Sequence, residues 1–237
     1  MRERSKNTPE GNVGGSDNSI SKAEEVRRIT NQKYEITEIA HEKYTFLHRI
    51  RALRDIGSEV KAGALGGFVE SADNLSFRPG DDAWIFDDAI ACNDAYVDKG
   101  SYLRGNAIAC GHAYVSRGTL LAGHARVEDD AYIRGAVLTD HARASGFAVI
   151  VYDQDTGGVP MLSGQSAVYG RVSGDVRLTD TALVISGEEI QNDTLDTLVI
   201  SSQGRSVIRD DTRDELAPQT GQPETSKAKI KERQVER

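Results

Sequence analysis

The chain has 237 residues, of which 38% are apolar, and a formal net charge of -8. That is room for one sizeable domain with tails, with too little apolar material for an ordinary compact core. The charge argues against a basic nucleic-acid footprint, no apolar run reaches membrane-spanning length, and two cysteines are too few for a disulfide scaffold or a cysteine-based zinc site.

Residues 1–19 are rich in Gly, Asn, Ser and charge and read as disordered. They lack the apolar stretch of a secretory signal, so a cytosolic location is expected. Ser21 to Thr30 has capping-box spacing at Ser21 and Glu24 and reads as a short helix that needs a docking surface. The first 32 residues therefore form a leading segment. Residues 33–80 contain KYEIT, YTFLHRIRAL and GGFVE, strand-like runs punctuated by Gly63, Gly66 and Gly67. They read as a small β-rich cap.

From Asp81 the chain falls into blocks of six: DDAWIF, DDAIAC, NDAYVD, KGSYLR, GNAIAC, GHAYVS, RGTLLA, GHARVE and DDAYIR. Position 3 is small throughout and position 5 is aliphatic or Ala, so strand alternation puts both inward and leaves positions 4 and 6 outward. Positions 1 and 2 carry turn residues. The blocks KGSYLR and RGTLLA, eighteen residues apart, both have Gly at position 2 and lack Ala at position 3. Three hexads per coil follow, with residues eighteen apart stacking at roughly 4.8 Å. The block GAVLT keeps the rhythm with one residue missing. Regular coils run over 81–151, an inserted loop over 152–163, less regular coils and a closing cap over 164–208, and a charged, disordered tail over 209–237.

The expected fold is all-β, a parallel β-helix of hexapeptide repeats. Arg49 to Ala52, Val60 to Val69 (VKAGALGGFV), Asn74 to Ser76 and Trp84 to Asp87 resemble the entry of YdcK-like hexapeptide-repeat proteins. The resemblance covers about residues 34–151 and implies a left-handed helix, although right-handed crossovers are the general rule. It also implies a bacterial, phage or mobile-element setting. Such proteins are frequently labelled transferases, but the family has no agreed catalytic residues to carry over.

Eighteen-residue stacking places Asp94, His112 and Asp130 on one corner, and Asp88, Asn106, His124 and His141 on another. A histidine between carboxylates is a candidate acid or base, so His112 with Asp94 and Asp130 is the best catalytic candidate. The competing reading is turn chemistry, because Gly, Asn, Asp and His tolerate positive φ. A zinc site is not expected, since His112 lies apart from the other two histidines. Outward rows of Tyr96, Tyr114 and Tyr132, and of Trp84, Tyr102 and Leu120, are either sheet packing or a binding face. Cys92 and Cys110 fall one rung apart, about 5 Å between Cα atoms, and are expected as free thiols. Aspartates line the corners, interrupted by Lys99 and Arg117.

Three functions compete. The first is a non-enzymatic rod that binds a protein, with no cofactor, no metal and no membrane, and with homo-oligomers open. The second is an acyltransferase-like enzyme using an acyl-CoA, and the third is an acidic anti-defence or DNA-mimic inhibitor. Nucleic acid itself is disfavoured as a partner. The inserted loop holds no histidine and no nucleophile–base pair is visible, which ranks the rod first.

Overall fold

A computed structural model describes residues 31–210. The leading segment before Asn31, including the helix expected at Ser21 to Thr30, and the tail beyond Asp210 lie outside the described residues. Within them the chain is a parallel β-solenoid of seven coils bounded by three sheets. Among the described residues the only helical element is the three-residue 3-10 turn Ala72–Asn74. No helix among them is long and apolar enough to cross a membrane.

Three cap strands open the fold: β1 (Tyr34–Ala40), β2 (His48–Ala52) and β3 (Leu65–Val69). β1 pairs with β2, and β2 with β3, antiparallel. β3 then pairs in parallel with Ile90–Ala91, and Leu75 bridges to Val97. The first coil therefore begins inside the expected cap, at Phe68 rather than Asp81. Its first block has Gly67 at position 3, but the next, with Leu75 at position 5, puts Asp73 there, so the hexad pattern alone does not expose the coil.

Each later coil contributes one short strand to each sheet. In the first sheet Ile90, Ile108, Arg126, Arg143, Ala167 and Leu183 stack in register. In the second the column is Trp84, Tyr102, Leu120, Val137, Met161, Arg177 and Val199. In the third it is Tyr96, Tyr114, Tyr132, Val149, Arg171 and Glu189. The missing residue near Gly135 shortens one corner without breaking the ladder.

The interior is filled as the hexad predicts. Ala83, Ala89, Ala95, Ala107, Ala113 and Ala125 are fully buried, as are Ile85, Val97, Leu103, Val115, Leu121, Val127 and Ile133. Each buried aliphatic side chain contributes about 1.5–3 kcal/mol, and alanine at the tight position lets the three walls approach. A low apolar fraction thus still gives a closed core, because a narrow prism needs little volume to fill it.

Two boundaries differ from the sequence reading. Met161–Leu162 is already a strand of the second sheet, so the insertion is a loop over 152–160. Glu189–Asn192 and Thr197–Ser201 are parallel members of the last coil, and only Gly204–Ile208 is a closing element, antiparallel to its neighbour. Irregular corner lengths hid this last coil from a six-residue count.

The cap seals the first coil. Tyr34 is buried and meets Trp84 edge-on, 6.2 Å between ring centres, with its hydroxyl 2.9 Å from the Leu75 carbonyl. Lys33 is also buried and donates to the Ser76 carbonyl at 2.7 Å. Burial lowers its pKa to about 8, although Asp81 and Asp82 pull the other way. A Cβ on Gly66 would sit 2.6 Å from the Ile85 carbonyl oxygen and 2.8 Å from the Trp84 ring. Close packing of cap on coil requires that glycine.

Candidate functional site

The corners explain the polar residues of the repeat. Positive φ falls at position 1, where Asp87, Asn93, Lys99, Arg117, Asp129 and Asp140 adopt it along with Gly105, Gly111 and Gly123, and it extends to position 2 where that residue is Gly100 or Gly118. His112, His124 and His141 at position 2 do not. Left-handed turn preference therefore does not account for the histidines, which corrects the turn reading of these three residues. Position 2 is instead anchored through its backbone, as when the His112 amide donates to the Asp129 carbonyl at 2.7 Å and the His124 amide to Asp140 at 2.6 Å.

Position 1 carries a ladder of its own. A carboxylate or amide oxygen on one rung accepts from the glycine amide on the next. The pairs are Asp87 with Gly105 at 2.9 Å, Asn93 with Gly111 at 3.4 Å, Asp129 with Gly146 at 2.9 Å and Asp140 with Gly164 at 2.9 Å. The bond from the Ser145 hydroxyl, then that from the Gly146 amide, holds the Asp129 carboxyl below its usual pKa. Asp81 serves the third corner, accepting from the amides of Lys99 at 2.8 Å and Gly100 at 3.0 Å. Burial alone would raise its pKa, but hydrogen bonds from Ser76 and the amides of Ala83, Gly100 and Lys99 outweigh that and lower it. The ladder gives Asp87, Asn93, Asp129, Asp140 and Asp81 structural partners. An aspartate or asparagine at position 1 with glycine eighteen residues later is the sequence signal for it at Asp87 and Asn93, and the skipped residue and the loop shift that spacing for Asp129 and Asp140.

His112 lies where stacking places it. Its Nε2 is 3.3 Å from Asp94 and its Nδ1 3.4 Å from Asp130. The side chain is 69% exposed, and the two carboxyls 80% and 50%. An imidazole with a carboxylate at each nitrogen can exchange protons, but on an open corner it has no walls to hold a substrate. His124 and His141 stack in parallel at 4.9 Å, away from His112. Among the described residues no three His, Cys, Asp or Glu side chains converge on a metal position.

The outer faces divide by sheet. On the third, Tyr96 and Tyr114 stack at 6.0 Å and Tyr114 meets Tyr132 at 5.4 Å, all half-buried. The Tyr114 hydroxyl donates to the buried Asp98 at 2.9 Å. On the first, Glu128 is held between Arg126 at 2.6 Å and Arg143 at 2.5 Å. On the second, Tyr102, Leu120, Val137 and Met161 form one outward column, with Ala122, Thr139 and Ser163 in the column beside it. That strip bears no charge between Arg104 and Arg177 in these columns. Trp84 heads the strip but is 1% exposed under the cap, so it cannot reach a partner and leaves the row of surface aromatics.

The sequence reading stopped that strip at Leu120. The one-residue skip and the loop move Val137 and Met161 out of phase, so only the register reveals them. It also missed a cleft of about 360 Å³ lined by His41, Arg49, Phe68, Asp88 and Asn106. There Arg49 lies 4.3 Å over Phe68 and pairs with Asp88 at 2.5 Å, while its guanidinium donates to the Asp87 carbonyl at 2.6 Å. These contacts clamp the cap to the first corner. No family model matches the chain, and no curated protein is similar enough to stand as a relative.

Proposed function

We propose that the protein is a non-enzymatic β-helical rod that binds another protein through its outer faces. The observation that carries this is the uncharged strip of Tyr102, Leu120, Val137 and Met161, set one sheet away from the stacked tyrosines. A contiguous apolar strip rimmed by arginines has the composition of a docking surface, with apolar centre and polar rim. The interior is packed with side chains, so the ligand-facing chemistry lies outside. The resemblance to YdcK-like hexapeptide-repeat proteins supports a left-handed rod of bacterial or mobile-element origin. Immobilised protein should retain a stoichiometric partner from bacterial lysate, and Leu120→Arg or Tyr132→Arg should lose it. Equal retention by wild type and both variants would end this reading.

A second reading rests on His112 between Asp94 and Asp130. An acyl-CoA enzyme would use that histidine as its base. Acetyl-CoA should then raise the melting temperature by several degrees, since a ligand that binds only the native state stabilises it. The rod reading expects no shift.

A further inference from the structure

Glu70, Cys92, Cys110 and Glu128 each follow a strand of the first sheet, and those strands are in register. The four side chains therefore form one column along the edge of that face, with two thiols between two carboxylates. Backbone bonds hold the middle pair in the ladder, from the Cys92 amide to Ala109 at 3.1 Å and from the Cys110 amide to Val127 at 2.9 Å. Both cysteines are free and half-buried. The neighbouring thiols act on one another, raising the Cys92 pKa and lowering that of Cys110, while burial raises both, and the Cys92 thiol lies 3.9 Å from the Asn93 side-chain oxygen.

Rung spacing decides what such a pair can do. Side chains in register on parallel strands leave the backbone side by side, about 4.8 Å apart. That Cα spacing lies inside the ~4.4–6.8 Å range of disulfides, so an oxidant would join the pair, whereas under reducing conditions both thiols stay free to hold an ion. Two metal–sulfur bonds in line, each near the ~2.3 Å of a zinc thiolate, span about 4.6 Å. Thiolates select soft ions, and no third ligand of the described residues joins the pair, which excludes a tetrahedral zinc site built from them. We propose that Cys92 and Cys110 form a two-coordinate site for a soft monovalent cation of the copper(I) class. Two thiols release two protons as the ion binds, no electron is transferred, and the bis-thiolate complex carries one negative charge. Glu70 beside Cys92 and Glu128 beside Cys110 oppose the thiolates, and Arg126 offsets part of that by favouring the anionic form of both.

The test is an anaerobic titration of the reduced full-length protein with copper(I) against a chromogenic copper(I) chelator, with silver(I) as a redox-silent probe read by native mass spectrometry. One ion per chain is expected, with affinity rising with pH because protons are released. Cys92→Ser and Cys110→Ser should each lose more than the roughly 10–100-fold that an outer-shell partner is worth. Their melting temperatures should stay at the wild-type value, so a loss would report on ligation rather than folding. Three results would overturn the site: wild-type affinity in either serine variant, two ions taken up with one on each thiol, or no ion captured from the chelator.

Discussion

Gly111 and Gly118 both adopt positive φ, at +72° and +70°, yet they face different surroundings. A Cβ on Gly118 would meet nothing within 4 Å. A Cβ on Gly111 would lie 2.8 Å from the Asp129 amide nitrogen and 2.9 Å from its Cα and carbonyl oxygen, all backbone of the next rung. Alanine in the left-handed region costs about 1–2 kcal/mol, offset by about 0.4–1 kcal/mol through a less flexible unfolded chain. Gly118→Ala should therefore destabilise by about 1 kcal/mol. Gly111→Ala adds the overpacking term of about 1–3 kcal/mol, for a total of roughly 2–4 kcal/mol. Urea unfolding read at the transition midpoint, with unchanged slope, separates the two. Equal shifts would mean that Gly111 does not stack on Asp129 and would refute the register.

Tyr114→Phe removes the hydroxyl that donates to the buried Asp98 carboxyl, leaving it the Lys99 ammonium at 4.0 Å, and should cost about 1–3 kcal/mol, the range for weakening the pairing of a buried polar group, measured by the same unfolding. Glu128→Gln breaks the paired contacts to Arg126 and Arg143. It should destabilise more at low salt than at 1 M salt, where screening weakens these half-exposed guanidinium contacts. Lys33 has a folded pKa of about 8 against an ordinary 10.5. The unfolded chain then binds more protons between those values, so stability rises from about pH 8 to 10.5 and is flat outside that window. Lys33→Met should flatten that rise. Asp81 shifts the other way. Its stabilisation is complete above the ordinary carboxylate range and lost as pH falls through the lower folded value, and Asp81→Asn should remove that part of the acid sensitivity.

The hexad made the core legible because one small residue per six and one aliphatic two positions on are direct steric demands of a narrow prism. Corner rows were legible where spacing is eighteen: His112 between Asp94 and Asp130, and the tyrosine column. Legibility ended where corners change length. Met161 stacks on Val137 across a loop, and Val199 on Arg177, with spacings that only hydrogen bonding reveals. The histidines were misread for a different reason. Asp, Asn and Gly occur at both corner positions, so composition could not say which position takes positive φ. Trp84 was misplaced because its outward direction meets Tyr34 and the cap, a long-range contact that no repeat encodes.

The docking account is tested most directly by quantitative affinity capture from bacterial lysate, comparing wild-type protein with Leu120→Arg, Val137→Arg and Tyr132→Arg at matched stability. The account predicts a single protein retained near one-to-one by wild type and depleted by at least one of these outward charges. Identical eluates from all four proteins would contradict it.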